Sequence, residues 1–199
     1  MTLNNSTLHN ILGRQKKFFF FLFAVFIIGV LMGALFSEKH EVYQGKITIP
    51  LVFSGIPNID QELSACFITY LLNMFISIVT LFLLGMTIFG TIGVPLFLLL
   101  KGFTTGISIM FFLYKDGDFS LIECAVIYVP YLAISLFFIL IFGVASISFS
   151  KSLIKKLRCI DDLQEIDYKK YSGFFLISLF SAVIVSLISI LLVFVYALF

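Results

Sequence analysis

The chain has 199 residues, of which 61% are hydrophobic and 12% are charged. Soluble domains carry roughly 25% charged residues, so this chain has too few polar side chains to cover a globular surface in water. Its formal net charge of +2 gives no basis for nucleic-acid binding, which requires many contacts with phosphates. The composition predicts an integral membrane protein, and the length allows a single domain of about five or six membrane-spanning helices.

The amino-terminal segment, residues 1–17, is polar and ends in Arg14, Lys16 and Lys17. The spacing of its few apolar residues predicts a short helix that lies on the membrane surface. The apolar run Phe18–Phe36 follows and is long enough to cross a bilayer as a helix. Because this run is too long for the core of a signal peptide, we expect an uncleaved first helix.

The next polar stretch, residues 37–66, contains charges of both signs and several glycines and prolines, which predicts a compact outer loop. A second spanning helix is expected over Cys66–Phe89. The sequence "GTIGVP" at residues 90–95 then interrupts the helical pattern. Pro95 suits the first turn of a third helix, which we expect over Val94–Tyr114.

The sequence "KDGD" (Lys115–Asp118) predicts a tight turn. A long fourth helix is expected over Phe119–Phe149, with a kink at Pro130. A charged connection, residues 151–172, leads to a fifth helix, Gly173–Phe199. The predicted fold is therefore an all-α integral membrane bundle of five transmembrane helices, with residues 1–199 forming a single membrane domain.

The basic residues divide unevenly between the two sides of the membrane. With a cytoplasmic amino terminus, the inner side carries Arg14, Lys16, Lys17, Lys151, Lys155, Lys156, Arg158, Lys169 and Lys170. The outer side carries Lys39, Lys46 and Lys115. Because lysine and arginine concentrate in cytoplasmic segments, we expect a plasma-membrane protein with its amino terminus inside and its carboxyl terminus outside.

Lys101 is a charged residue within the third apolar run, about 10 Å along the axis from the predicted start of that helix. One interpretation is that its long side chain reaches back to the cytoplasmic headgroups. The other is that Lys101, Thr104, Thr105 and Ser108 form a polar stripe that faces other helices and binds an acidic group of a partner. Glu123 is too near the outer end of the fourth helix to pair with Lys101, so we expect no ion relay across the membrane.

Two GxxxG patterns occur, "GVLMG" (Gly29–Gly33) in the first helix and "GFTTG" (Gly102–Gly106) in the third. Glycines four residues apart allow two helix backbones to approach closely. The patterns predict close packing within the bundle or, alternatively, contact with a partner protein.

The sequence contains no recognisable catalytic or metal-binding motif. The cysteines, Cys66, Cys124 and Cys159, are widely spaced, and neither histidine is near them. No HExxH, GxSxG or phosphate-binding glycine loop is present. We therefore expect a protein without enzymatic activity, a cofactor or a bound metal.

Three stretches of this chain, "KKFFFFLFAVFIIGVLMGALF", "GTIGVPLFLLLKGFTTGISIMFFL" and "IYVPYLAISLFFILIFGVASISFSKSLIKKL", together resemble the stage II sporulation protein M family of endospore-forming Firmicutes. The most specific part of the resemblance consists of Gly93, Pro95, Lys101, Gly102 and Gly106. Pro130 and the run of small residues at Gly143–Lys151 also fit the family.

The resemblance implies a membrane scaffold for engulfment of the forespore. In that family the protein works at the septal membrane with two peptidoglycan-degrading partners, an amidase and a lytic transglycosylase. A different possibility is a permease-like subunit of a transporter that works with a separate ATPase. Residues 151–172 could then be its coupling element; the alternative for this segment is an ordinary helix at the membrane interface with a solvated acidic end.

Overall fold

The computed structural model describes residues 5–40, 63–114, 124–157 and 168–197, which form five long helices and one π-helical turn. The helices are α1 (Asn5–His40), α2 (Leu63–Gly85), α3 (Gly90–Tyr114), α4 (Val129–Leu157) and α5 (Tyr168–Ala197). The π-helical turn, Cys124–Tyr128, directly precedes α4. Each long helix carries an apolar segment of at least 20 residues that could cross a membrane, and the segment of α4 also includes residues of the π-helical turn. The predicted all-α fold with five spanning helices is confirmed.

Most helices extend beyond the predicted ends. One continuous helix, α1, replaces the predicted surface helix and first span, and α5 begins at Tyr168 instead of Gly173. The fourth helix continues through the basic residues to Leu157. Polarity marks where the apolar interior of a membrane ends, but the backbone hydrogen bonds of a helix can continue into water. The predictions for these helices were therefore too short, because they stopped at the first polar residues.

The break between the second and third helices also lies elsewhere than predicted. α2 ends at Gly85, residues 86–89 form a turn, and α3 begins at Gly90. In the turn, the Thr87 amide donates to the Leu84 carbonyl at 3.1 Å. Pro95 lies inside α3, close enough to its start to remove only one early backbone hydrogen bond.

Several predicted segments lie outside the described residues. These are most of the outer loop, the tight turn at Lys115–Asp118 with the expected start of the fourth helix, and the middle of the connection at residues 151–172.

Helix α4 lies at the centre of the bundle and contacts each of the other four long helices. Helix α1 packs against α3 and α4, whereas α5 packs against α2, α4 and the π-helical turn. Within the described residues α1 and α5 make no contact, so they lie on opposite sides of α4. The central position explains why α4 is the most buried of the spanning segments.

The core of the bundle is filled by aliphatic and aromatic side chains. Leu22, Tyr70, Ile78, Val94, Leu98, Tyr128, Leu140, Phe142 and Ile147 are fully buried or nearly so. The outer faces of α1 and α5 carry large exposed hydrophobic residues, among them Phe20, Leu31, Ile177 and Phe180. Lipid tails are as apolar as these side chains, so close packing and polar contacts must stabilise the helix contacts.

An aromatic cluster joins α2, α4 and α5 at one end of the bundle. The Tyr171 ring stacks on Phe149 with 4.2 Å between centroids and on Phe82 with 5.2 Å. The Tyr171 hydroxyl lies 3.1 Å from the Ser146 hydroxyl and donates to the Phe82 carbonyl at 3.1 Å. The Tyr171 ring fits because residue 85 is a glycine: a Cβ atom there would overlap the Tyr171 hydroxyl oxygen.

Replacing Gly85 by alanine should therefore destabilise the bundle. The new methyl group would also lie 2.9 Å from Ser146 Cβ, and the Tyr171 ring that it overlaps is held by stacking on Phe149 and Phe82. Overpacking of this kind costs about 1–3 kcal/mol. Combining Gly85→Ala with Tyr171→Phe should recover part of that loss, because the overlapping oxygen is gone. Thermal unfolding of purified protein in nanodiscs measures the stability of both variants. Equal stability of Gly85→Ala and wild type would contradict the close contact between residue 85 and Tyr171.

Candidate functional site

The two GxxxG patterns pack against each other in the α1–α3 contact. A Cβ atom on Gly29 would lie 3.2 Å from Gly102 Cα, and a Cβ atom on Gly102 would lie 3.2 Å from Gly29 Cα. A Cβ on Gly33 would overlap the Phe103 carbonyl oxygen, and one on Gly106 would overlap that of Val30. The neighbouring atoms belong to the backbone, so no rotamer change would make room for a side chain.

This contact also gives the relative direction of the two helices. Gly29 faces Gly102 and, farther along both helices, Gly33 faces Phe103 while Gly106 faces Val30 and Ala34. The residue numbers rise together, so α1 and α3 run parallel. Two helices separated by one intervening span must cross a membrane in the same direction, and the packing agrees with that topology.

A buried polar cluster joins α2, α3 and α4. Lys101 is only 9% exposed, and its Nζ donates a hydrogen bond to Asn73 Oδ1. Asn73 Nδ2 donates to the Tyr131 hydroxyl at 3.1 Å, and that hydroxyl donates to the Tyr70 carbonyl at 3.4 Å. The chain of hydrogen bonds links three helices through side chains that are buried in the bundle.

Lys101 lies deeper in the membrane span than predicted. The span runs over Gly90–Met110, and Lys101 is about 17 Å along the axis from its start. The side chain is directed to Asn73 and does not extend to a surface, so the interpretation that Lys101 reaches the headgroups is wrong. The sequence does show a polar residue, Asn73, in the middle of the apolar second helix, which indicates a buried polar contact. Nothing in the sequence identifies Lys101 as the partner of Asn73.

The remaining residues of the predicted polar stripe bond within their own helix. The Thr104 and Thr105 hydroxyls both donate to the Lys101 carbonyl at 2.9 Å, and the Ser108 hydroxyl donates to the Thr104 carbonyl at 2.8 Å. Thr105 and Ser108 are buried. The stripe faces other helices as expected, and binding of an acidic group from a partner stays a prediction.

A small cavity of about 20 Å³ borders the polar cluster. It is lined by the polar residues Asn73, Lys101, Thr105, Tyr131 and Ser135, and Phe26 of α1 contributes an apolar wall. This volume accommodates about one water molecule. The polar side chains of this cluster are thus placed between helices, where they satisfy one another by hydrogen bonds.

The other predicted residues lie at helix junctions. A Cβ on Gly93 would approach the flexible Leu84 side chain at 2.9 Å, so Gly93 lies in the α2–α3 contact. Pro130 is the second residue of α4 and directly follows the π-helical turn. Pro130 therefore lies where π-helical hydrogen bonding changes to α-helical, and the kink expected there stays a prediction.

Seven described lysine side chains lie at one end of the bundle, which we call the basic end: Lys16, Lys17, Lys151, Lys155, Lys156, Lys169 and Lys170. Lys151 Nζ lies 3.8 Å from the centroid of the Phe18 ring, which brings α4 and α1 together. The Ser150 hydroxyl donates to the Thr87 carbonyl at 2.9 Å, which places the α2–α3 turn at the basic end as well. Phe149 contacts Tyr168 with 5.4 Å between ring centroids, which places the start of α5 there too.

Five apolar spanning helices, four of them packed around α4, define a multi-pass α-helical membrane protein whose helices are joined by glycine contacts and a buried polar cluster. The family model for stage II sporulation protein M matches residues 22–199. The chain belongs to this family, as its resemblance predicted. Searches among curated proteins and among solved structures found no match. In the described part of the chain, no group of histidine, cysteine, aspartate or glutamate side chains is placed to hold a metal ion.

Proposed function

We propose that this protein is a scaffold at the septal membrane that recruits peptidoglycan-degrading enzymes, an amidase and a lytic transglycosylase, for engulfment of the forespore. The observation that carries the proposal is the family match over residues 22–199. Members of that family are expected to provide localisation, while the hydrolytic chemistry belongs to their partners.

The architecture of the bundle supports this role. A scaffold needs a rigid body with lateral surfaces that partner proteins can reach within the membrane. The α1–α3 glycine contact and the polar cluster hold the helices of the bundle together, and α1 and α5 present apolar faces on opposite sides. Because neither outer face is needed for packing within the described bundle, both are accessible to lipid or to other membrane helices.

The basic end supports an orientation with this end in the cytoplasm. Lysines from α1, α4 and α5 meet there, and lysine concentrates on the cytoplasmic side of membrane proteins. The amino terminus is then inside and the carboxyl terminus outside.

Cysteine labelling tests this orientation. In a chain whose three native cysteines are replaced by serine, a membrane-impermeant thiol reagent should label Gly55→Cys and Gly117→Cys in intact cells. The same reagent should leave Gln164→Cys unlabelled until the cells are opened. Labelling of Gln164→Cys in intact cells would reverse the proposed orientation.

Co-purification tests the scaffold itself. An affinity-tagged chain should be solubilised in mild detergent from cells in early sporulation, and its bound proteins identified by mass spectrometry. We expect the amidase and the transglycosylase to co-purify, and an unrelated tagged protein with several membrane spans provides the control. Recovery of an ATPase without a hydrolase would favour the alternative, a permease-like transporter subunit.

A further inference from the structure

We propose that the basic end of the bundle contains a binding site for one anionic phospholipid, formed where α1, α4 and the α2–α3 turn meet. The lipid phosphate would bind between Lys17 and Lys151, and one acyl chain would lie along the outer face of α3. This proposal is independent of the scaffold function.

The position of Lys151 defines the polar part of the site. Its ammonium group lies over the Phe18 ring at 3.8 Å, and the side chain is half-buried, so its position is more restricted than that of a lysine in open solvent. Lys17 precedes Phe18 in α1 and is exposed. Two lysines from helices far apart in the sequence therefore lie at the same junction, as in the basic sites between membrane helices that bind lipid headgroups.

The α2–α3 turn adds an apolar surface beside these lysines. The Ser150 hydroxyl donates to the carbonyls of Thr87 and Ile88, which fixes the turn against the residue that precedes Lys151. Phe89 and Ile92, at the end of this turn and the start of α3, are 76% and 74% exposed. Large apolar residues exposed next to lysines match the two chemically different parts of a phospholipid, its acyl chain and its headgroup.

The apolar surface continues along α3 toward the middle of the membrane. Phe89, Ile92, Leu96 and Leu100 are all exposed and recur at intervals of three or four residues, so they form one stripe along the helix. Leu96 lies one turn from Leu99, whose carbonyl oxygen contacts Gly29, so the stripe borders α1. An acyl chain lying on the stripe would therefore start beside the α1–α4 lysines.

The alternative is a general attraction of the basic end for any negatively charged surface. Lys169 and Lys170, at the start of α5, provide a matched control because they belong to the same end but to a helix that does not contact α1. Removing two charges at either place changes the net charge equally. A specific site responds only to the pair at the α1–α4 junction, whereas a general attraction responds to both pairs alike.

Native mass spectrometry of the full chain in neutral detergent can measure the affinity for phosphatidylglycerol and for phosphatidylcholine with the same acyl chains. We expect preferential binding of phosphatidylglycerol. The variant Lys17→Gln/Lys151→Gln should bind it about thirtyfold more weakly, since each lysine near a headgroup contributes about fivefold to the affinity. Lys169→Gln/Lys170→Gln should stay within about threefold of wild type, because distant charges are screened.

A second variant tests the acyl-chain part without changing the charge. Ile92→Gln should weaken phosphatidylglycerol binding. Its thermal unfolding in uncharged lipid should match that of wild type. This variant keeps the proposal testable if Lys17→Gln/Lys151→Gln does not fold. An equal loss of phosphatidylglycerol affinity for both lysine pairs would overturn the proposal. It would also be overturned if neither Ile92→Gln nor Lys17→Gln/Lys151→Gln weakened the binding. Displacement of the lipid by millimolar inorganic phosphate would also overturn it, because the site would then take a free anion.

Discussion

Replacing Gly33 by leucine should separate α1 from α3 and cost more than about 3 kcal/mol of folding free energy. The new side chain would begin with a Cβ atom that overlaps the Phe103 carbonyl oxygen and lies 2.8 Å from the Phe103 carbonyl carbon. These are backbone atoms of a spanning helix, so the two helices must move apart along much of their contact. α1 has only a minor second contact, with α4, and we expect this variant to be depleted from membranes.

Gly173→Leu provides the matched control. Gly173 lies in α5, and a Cβ atom there would have no other atom within 4 Å apart from its local neighbours. The same substitution should therefore be tolerated, with a change within about 0.5 kcal/mol, as for most surface positions. Membrane abundance and thermal unfolding in nanodiscs measure both variants. Equal abundance and stability of Gly33→Leu and Gly173→Leu would contradict the close α1–α3 contact.

Replacing Asn73 by leucine should cost about 1.5–3 kcal/mol, the range for a hydrogen bond to a charged group. The substitution removes the oxygen that accepts from Lys101 and the amide that donates to Tyr131. The cost should be smaller when Lys101 is also replaced by methionine, because the buried side chain that donates to Asn73 is then absent. The loss should thus depend strongly on which residue occupies position 101.

A double-mutant cycle over Asn73→Leu and Lys101→Met measures this dependence. We expect a coupling free energy of about 1–3 kcal/mol between the two positions. Ser77→Ala is the control partner for Lys101→Met, because the buried Ser77 hydroxyl donates to the Asn73 carbonyl of its own helix and its effect should be additive. Additive effects for Asn73→Leu and Lys101→Met would show that the hydrogen bond between α2 and α3 does not contribute to stability.

The sequence alone predicted the number of spanning helices and the helices that carry the glycine motifs. Apolar runs such as Phe18–Phe36 are sufficient for this purpose, because a lipid bilayer accepts little else. It did not predict where the helices end. Residues such as Lys155 and Tyr168 are polar enough to mark the membrane boundary, but helical hydrogen bonding does not stop at that boundary.

The polar contact of Lys101 was the larger omission. The stripe of Lys101, Thr105 and Ser108 indicated correctly that this face of α3 turns toward other helices. Its depth was underestimated because α3 was expected to begin at Val94, four residues too late. Which neighbour supplies an acceptor depends on how α2 and α3 lie against each other, and local spacing carries no information about that contact.

The α1–α3 contact could be predicted only in part from the sequence. Glycines at positions 29, 33, 102 and 106 indicated that a helix backbone comes close to each motif, without identifying the partner. The structure pairs the motifs with each other, so contacts outside the bundle must use exposed apolar faces such as those of α1 and α5. Recruitment by those surfaces stays a prediction.

The most direct measurement of the scaffold function is the position of the amidase in sporulating cells. A fluorescent amidase should concentrate at the septal membrane when the wild-type chain is present and should be dispersed in cells that lack it. Gly173→Leu should restore the septal signal, whereas Gly33→Leu should not. Septal concentration of both the amidase and the lytic transglycosylase in cells without this chain would contradict the proposal that the protein recruits them.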